Sequence, residues 1–174
     1  MTDALPDGLT TLVQNSRVAM TVGDTRLPDC PLVAVNEPFC RITGYGPDEM
    51  LGRNCRFLQP NTGAGPVRVR MHAFVNDGKT TDAQFLIPNI RKDGSRFLNL
   101  VYMSRLVFAG EDALILASQF DVGDGDRGDI EAYAGALTRD VEALASDLRP
   151  TQWNLLANYN IIASSNALIA RHRL

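Results

Sequence analysis

Asn54-Cys55-Arg56, with Gln59 three residues on, sets a thiol between an amide and a guanidinium and follows it with a second amide. A free cysteine is a packing residue in most proteins; inside the octet Gly52–Gln59 it is a candidate for chemistry. The guanidinium fork suits a phosphate or carboxylate, and each amide offers donors and an acceptor together. Three further amides, Asn89, Asn99 and Gln119, sit one apiece in apolar, alternating segments. There each either points to solvent or faces inward, where it is costly unless paired. Beside the octet, the inward reading is adopted. His72 and His172 are far apart and share no ligand spacing. Nothing resembles a Ser/His/Asp arrangement or a phosphate loop.

The elements that must position these groups follow from period and punctuation. Residues 7–16 place Leu9, Leu12, Val13 and Ser16 on one helical face, a short amphipathic cap. Val18–Val22 and Leu32–Val35 read as a strand pair. A helical stretch from Asn36 breaks at Gly44-Tyr45-Gly46-Pro47. Short helices follow at Asp48–Leu51 and Cys55–Leu58, then a longer one through Pro66–Asn76, with Pro66 in the first turn. Beyond Gly78 the period becomes two. Thr80–Ile90, Arg96–Phe108 and Asp112–Asp121 are predicted strands, divided by hairpin signals at Lys92–Ser95 and Ala109–Glu111. The expectation is an α+β fold, a sheet of five antiparallel strands with helices on one face.

The acidic run Gly123–Asp129 invites a calcium-loop reading, but that loop needs Glu at its twelfth position, which counted from Asp124 is Gly135. A hinge ending in a helix cap is the better reading. Ile130, Ala134, Leu137, Val141, Leu144 and Leu148 then follow a four-three seam. After Arg149-Pro150 a second helix is predicted from Thr151, carrying Trp153, Leu155, Leu156, Tyr159 and Ile162. Such a helical hairpin must fold back on the sheet, pair with a second copy, or both. The predicted organisation is a cap helix over 1–17, a central domain over 18–122, a hinge over 123–129 and a helical extension over 130–174.

The 174 residues suffice for one domain with an appendage. A net charge of −3 argues against a dominant nucleic-acid or anionic-membrane surface. No apolar run approaches the ~20 residues needed to cross a bilayer. Met1–Asp7 lacks the basic start and apolar core of a secretion signal. Cys30, Cys40 and Cys55 show no CxxC spacing. A reduced, cytoplasmic protein is expected.

Over Val18–Val122 the chain resembles the LOV (light-oxygen-voltage) domains, the blue-light-sensing branch of the PAS superfamily. The resemblance is carried by Asp24-Thr25-Arg26-Leu27-Pro28-Asp29-Cys30-Pro31, Val35-Asn36-Glu37-Pro38-Phe39, Thr43-Gly44-Tyr45, the octet, Phe97-Leu98-Asn99-Leu100 and Ser118-Gln119-Phe120-Asp121. It implies a flavin mononucleotide (FMN) cofactor, whose pyrimidine edge wants amides, whose dimethylbenzene end wants apolar walls and whose phosphate wants a guanidinium. Carried over residue by residue, Cys55 resembles the photoactive cysteine that adds to flavin C4a. Asn54 and Gln59 resemble residues beside the ring and ribityl chain, and Arg56 the first phosphate-binding arginine. Arg70 aligns best with the second, Arg68 being the alternative, because Pro60-Asn61 replaces the usual Gly-Pro-Glu. Asn89 and Asn99 resemble the amides on the pyrimidine edge, and Gln119 the amide beside N5 that reorients when the adduct forms. Cys30 stands where the family usually has Asn and is read as a small buried residue.

The resemblance implies a short photoreceptor with no attached enzyme. Its expected output is light-dependent association, as a homodimer or with an unlinked signalling partner. The alternative of a light-regulated DNA-binding tail is disfavoured, since Pro150–Leu174 carries few basic residues.

Overall fold

The computed structural model describes residues 4–63, 65–123 and 126–173. The chain opens with helix α1 (Asp7–Asn15), which buries Leu9 and Val13. Strands β1 (Ala19–Asp24) and β2 (Leu32–Val35) pair antiparallel. Helix α2 (Glu37–Thr43) begins where the Asn36 side chain accepts from the Phe39 N–H, and it ends on Gly44 at φ 78°, a left-handed position that glycine takes without penalty. Helix α3 (Pro47–Met50), a 3-10 turn (Cys55–Leu58) and helix α4 (Pro66–Asp77) follow. Strands β3 (Asp82–Ile90), β4 (Arg96–Phe108) and β5 (Glu111–Asp121) complete the expected five. The sheet order is β2-β1-β5-β4-β3, with all neighbours antiparallel.

Alternation along the strands sorts side chains to two faces. Met20, Val22, Leu100, Tyr102, Leu114 and Leu116 go to one face, while Val101, Ile115 and Ala117 go to the other. The second face receives α4 through Val67 and Phe74, next to a cluster holding Phe39, Met50 and Leu58. The first is covered by α1 and by helix α5 (Arg127–Leu148), whose Asp126 cap accepts from the Asp129 N–H at 3.0 Å. Ile130, Leu137, Val141, Leu144 and Leu148 are buried as the seam predicts, and Tyr133 joins them. Two of the hinge residues, 124 and 125, lie outside the described residues.

The extension differs from the predicted hairpin. Residues Trp153–Leu156 form a strand, β6, not the start of a second helix. β4 has 13 residues and β3 only 9, so Arg105–Phe108 are left without a β3 partner, and β6 pairs with them. Trp153 and Leu155 turn inward with period two, and Trp153 meets the Phe108 ring at 5.0 Å. Two short helices, α6 (Tyr159–Ala163) and α7 (Ser165–Arg173), end the chain. The apolar seam of the tail is therefore buried within one chain, by folding back on the sheet.

Candidate functional site

Between the second sheet face and the helices packed on it lies a cavity of about 270 Å³. Its floor is sheet: Thr21 and Gly23 of β1, Ile87 and Asn89 of β3, Asn99 and Val101 of β4, and Ile115, Ala117 and Gln119 of β5. Its roof is helical: Phe39, Asn54–Leu58 except Phe57, Gln59, and Arg68, Met71, His72 and Val75 of α4. The loop bearing Leu27, Asp29 and Cys30 closes one side.

The cavity brings together Cys55, Asn54, Arg56, Gln59, Asn89, Asn99 and Gln119. Arg70 does not line it. Arg68 does, and the difference is helical phase: positions two apart on α4 point about 200° apart, so only one of the pair can face the cavity.

Each amide is placed by a local reason. Asn54 caps the 3-10 turn, its Oδ1 accepting from the Arg56 N–H at 3.0 Å, while its Nδ2 donates to the Asp29 carbonyl at 2.7 Å. That cap sets Cys55 at the first position of the turn, facing the cavity. Asn89 and Asn99 are buried on adjacent strands, and Asn99 Nδ2 donates to Asn89 Oδ1 at 2.9 Å. Gln119 is buried as well, and its Nε2 donates to Thr21 Oγ1 at 3.2 Å. Among the described residues Asn99 Oδ1 and Gln119 Oε1 have no hydrogen-bond partner. Two buried acceptors facing one apolar-walled cavity call for a ligand that brings donors.

Burial pushes the Cys55 thiol up to about 12; Cys30 adds to the rise and a hydrogen bond from Thr21 opposes it. At neutral pH the sulfur is a thiol, not the thiolate that a nucleophilic cysteine requires. Burial likewise raises Cys30 to about 11, with Asp24 and Asp29 adding to the rise. Cys30 lines the same cavity with its sulfur against Gly23, and a Cβ at Gly23 would lie 2.9 Å from it. At the mouth, Arg56 pairs through both of its terminal nitrogens with the Asp29 carboxylate, one contact being 2.7 Å, and this bond holds the Asp29 carboxyl below its ordinary value.

Thr21 escaped the sequence reading, though the signal was present. It is a polar residue inside a strand whose six positions are all buried, the criterion that found Asn99 and Gln119.

Residues 18–124 match the family model of the PAS domain. The chain is 33% identical over 156 residues to blue-light-activated histidine kinase 1 of Erythrobacter litoralis, covering 86% of this chain but only 39% of that kinase. Among solved structures it is similar to the d2 variant of RsLOV, with TM-score 0.81 and 30% identity, covering 96% of this chain and 95% of that one. The Rhodobacter sphaeroides LOV protein gives TM-score 0.80 at 26% identity, with 96% and 95% covered. Matched along nearly its whole length, and with the octet's cysteine on the cavity wall, the chain belongs to the PAS family and, within it, to the LOV proteins of blue-light reception.

Proposed function

We propose that the cavity holds FMN and that Cys55 is the photoactive residue. The observation that carries this reading is the pairing of a neutral thiol with two unpartnered amide oxygens, Asn99 Oδ1 and Gln119 Oε1, on the walls of one cavity. Asn99 Oδ1 suits the imide N–H of a flavin's pyrimidine edge. Ile87, Val101, Ile115 and Ala117 supply apolar walls, and Arg56 and Arg68 stand where a phosphate can be met. Bound FMN would supply a blue-light-excited ring able to take hydrogen from a neutral thiol and to bond its sulfur reversibly at C4a.

The residues around it then have distinct tasks. Cys55 keeps its proton in the dark because burial holds the thiol neutral. Asn54 fixes the turn that carries it. Asn89 and Asn99 orient the ring through their shared hydrogen bond. Gln119 reads the change, because its amide can exchange the atom it presents. We place the output in α1, α5 and the β6–α7 segment. Loosening these from the sheet would expose apolar residues such as Leu9, Leu137 and Val141, which a second copy or an unlinked partner could cover. The output is association, not catalysis, in the cytoplasm; among the described residues no helix is long and apolar enough to cross a membrane. The kinase activity named for the Erythrobacter relative belongs to a protein of which this chain spans 39%.

The test is direct. Protein purified in the dark should carry yellow flavin absorption that bleaches in blue light and recovers in darkness. Cys55→Ala should bind flavin without bleaching. Absence of flavin, or unaltered bleaching in the variant, would refute the reading. Light scattering in the dark and under illumination reads the association; one unchanging monomer in both would remove that part.

A further inference from the structure

The β1–β2 connection, residues 25–31, is fastened at its base and leans over the mouth of the cavity. At the base the Asp24 N–H donates to the Pro31 carbonyl at 3.1 Å, and the Thr25 N–H to the Ala113 carbonyl of β5 at 3.0 Å. Beyond these bonds Leu27, Asp29 and Cys30 line the cavity. The tip reaches the 3-10 turn through Asp29. Its carbonyl accepts from Asn54 Nδ2 at 2.7 Å, and its two carboxylate oxygens accept from the two terminal nitrogens of Arg56. Asp29 has φ 68° and Cys30 φ 46°, two successive left-handed residues with no glycine between them. Backbone of this kind persists only where its surroundings enforce it. The ties to Asn54 and Arg56 therefore hold shut a segment that relaxes when they break. The ion pair is the weaker tie, because its side chains are 46% and 57% exposed and water competes for both.

A carboxylate on both terminal nitrogens of an arginine has the geometry in which that fork takes a phosphate. A phosphate monoester brings a charge of about −1.5 to −2 to the same fork, against −1 for the carboxylate. We propose that Asp29 is an internal stand-in for the phosphate of the flavin and that residues 25–31 are the gate it holds shut. An incoming phosphorylated flavin displaces the carboxylate from Arg56 and frees the tip, whereas a flavin without phosphate enters only when the pair opens by itself. Asp29 is thus a specificity-determining residue that acts on the rate of loading. The proposal rests on the photoreceptor reading above, and only ion pairs and hydrogen bonds change in it. A gate differs from a binding contact in its kinetics: removing it speeds entry and exit alike and leaves the affinity where it was.

The test compares wild type with Asp29→Asn in the full chain, freed of flavin and kept dark. Riboflavin and FMN are mixed in by stopped flow, and the quenching of their fluorescence gives entry and exit rates. Riboflavin should enter and leave the asparagine variant about threefold faster at unchanged affinity, while FMN enters faster and leaves no faster. Inorganic phosphate at constant ionic strength should speed riboflavin entry into wild type and have no effect on the variant, whose Arg56 is already free. Amide hydrogen exchange over residues 26–31, read without flavin, should be about threefold faster in the variant. Riboflavin rates that match wild type, a riboflavin affinity that moves in place of the rates, or phosphate acting equally on both proteins would overturn the gate. A wild type that takes up neither flavin sinks the photoreceptor reading and the gate with it. Uptake of both flavins at rates indifferent to Asp29 sinks the gate alone.

Discussion

Tyr102→Phe removes one oxygen from the centre of β4 and keeps the buried ring in place. That oxygen donates to Asp82 Oδ2 at 2.7 Å. The same carboxylate oxygen accepts from the Asn158 N–H at 2.5 Å, and Thr81 donates to Oδ1 at 3.2 Å. Asn158 in turn caps α6, its Oδ1 accepting from the Asn160 N–H at 2.9 Å. Asp82 is thus a buried knot, 4% exposed, that ties the C-terminal segment to β3 and β4 just where β6 leaves the sheet.

A hydrogen bond to a charged group contributes about 1.5–3 kcal/mol, and phenylalanine has no hydroxyl to desolvate, so the loss should be about 2 kcal/mol. Because Asp82 keeps its other two donors, the loss should appear first as local release of the tail. Every 1.4 kcal/mol is tenfold, which makes the amides of Trp153–Ala163 exchange about 30 times faster. Amide hydrogen exchange read by mass spectrometry measures this against the amides of β5, with urea unfolding as the global reference. Asp82→Ala removes the acceptor of all three donors, the buried Tyr102 hydroxyl among them, and should cost more, about 3–4 kcal/mol. Asp82→Asn, which keeps an acceptor oxygen, should cost least. Unchanged exchange over 153–163 in Tyr102→Phe, or the reverse order among the three variants, would refute the idea that this knot holds the tail.

Arg105 is 2% exposed at its side chain, donates to the Thr80 carbonyl at 2.7 Å and to the Phe74 carbonyl, and lies 4.5 Å over the Phe74 ring. Arg105→Lys lacks the planar fork and should lose about 2–4 kcal/mol in thermal unfolding, an unchanged Tm being the contrary result. The Tyr102 and Tyr133 phenols are both raised, chiefly by burial, with Asp82 adding to the rise at Tyr102 and Ser118 opposing it at Tyr133. A raised folded value means stability that is whole below the ordinary phenol value of about 10 and is lost as pH climbs past it. Urea midpoints should therefore fall above about pH 10, and Tyr133→Phe should flatten the fall; a midpoint insensitive to alkali would contradict this. Asp29→Asn unties Arg56 at the cavity mouth, and the ratio of FMN to riboflavin affinity should rise by about a few-fold. An unmoved ratio would take Arg56 out of the phosphate role.

The sheet and most of the cavity wall were legible because their signals are local. Period-two runs mark β3, β4 and β5, and an amide within an apolar run is conspicuous at Asn99 and Gln119. Thr21 obeys the same logic yet raises no alarm, since threonine is at home in any strand. Arg68 and Arg70 could not be told apart, because α4 has too weak an apolar stripe to fix its phase from sequence. The tail failed for a tertiary reason. Trp153, Leu155, Leu156, Tyr159 and Ile162 fit a helical face as well as a strand. What decides for the strand is the open edge at Arg105–Phe108, a consequence of β4 outrunning β3 that no local window contains.

A pull along β5 past Asp121 to the hinge is one course open to a signal from Gln119, but the structure offers a shorter one. Val122 donates to the Leu98 carbonyl at 2.9 Å and Asp121 is paired with Arg91, so the end of the strand is pinned against a pull along the chain. Across the sheet nothing comparable intervenes. Gln119 faces the cavity, while its neighbours Ser118 and Phe120 face α5. The Ser118 and Tyr133 hydroxyls are bonded at 2.8 Å, and the Phe120 and Tyr133 rings stack at 4.8 Å. Tyr133, two turns into α5, therefore grips β5 on both sides of the residue whose amide faces the cavity. A displacement of β5 at Gln119 is handed to α5 through one peptide unit on either side, whereas the same displacement must break an ion pair and a ladder bond to travel past Val122. Since α5 also carries α1, β6 and α7 on its other contacts, a strand one residue thick is sufficient to connect the cavity with the whole covered face.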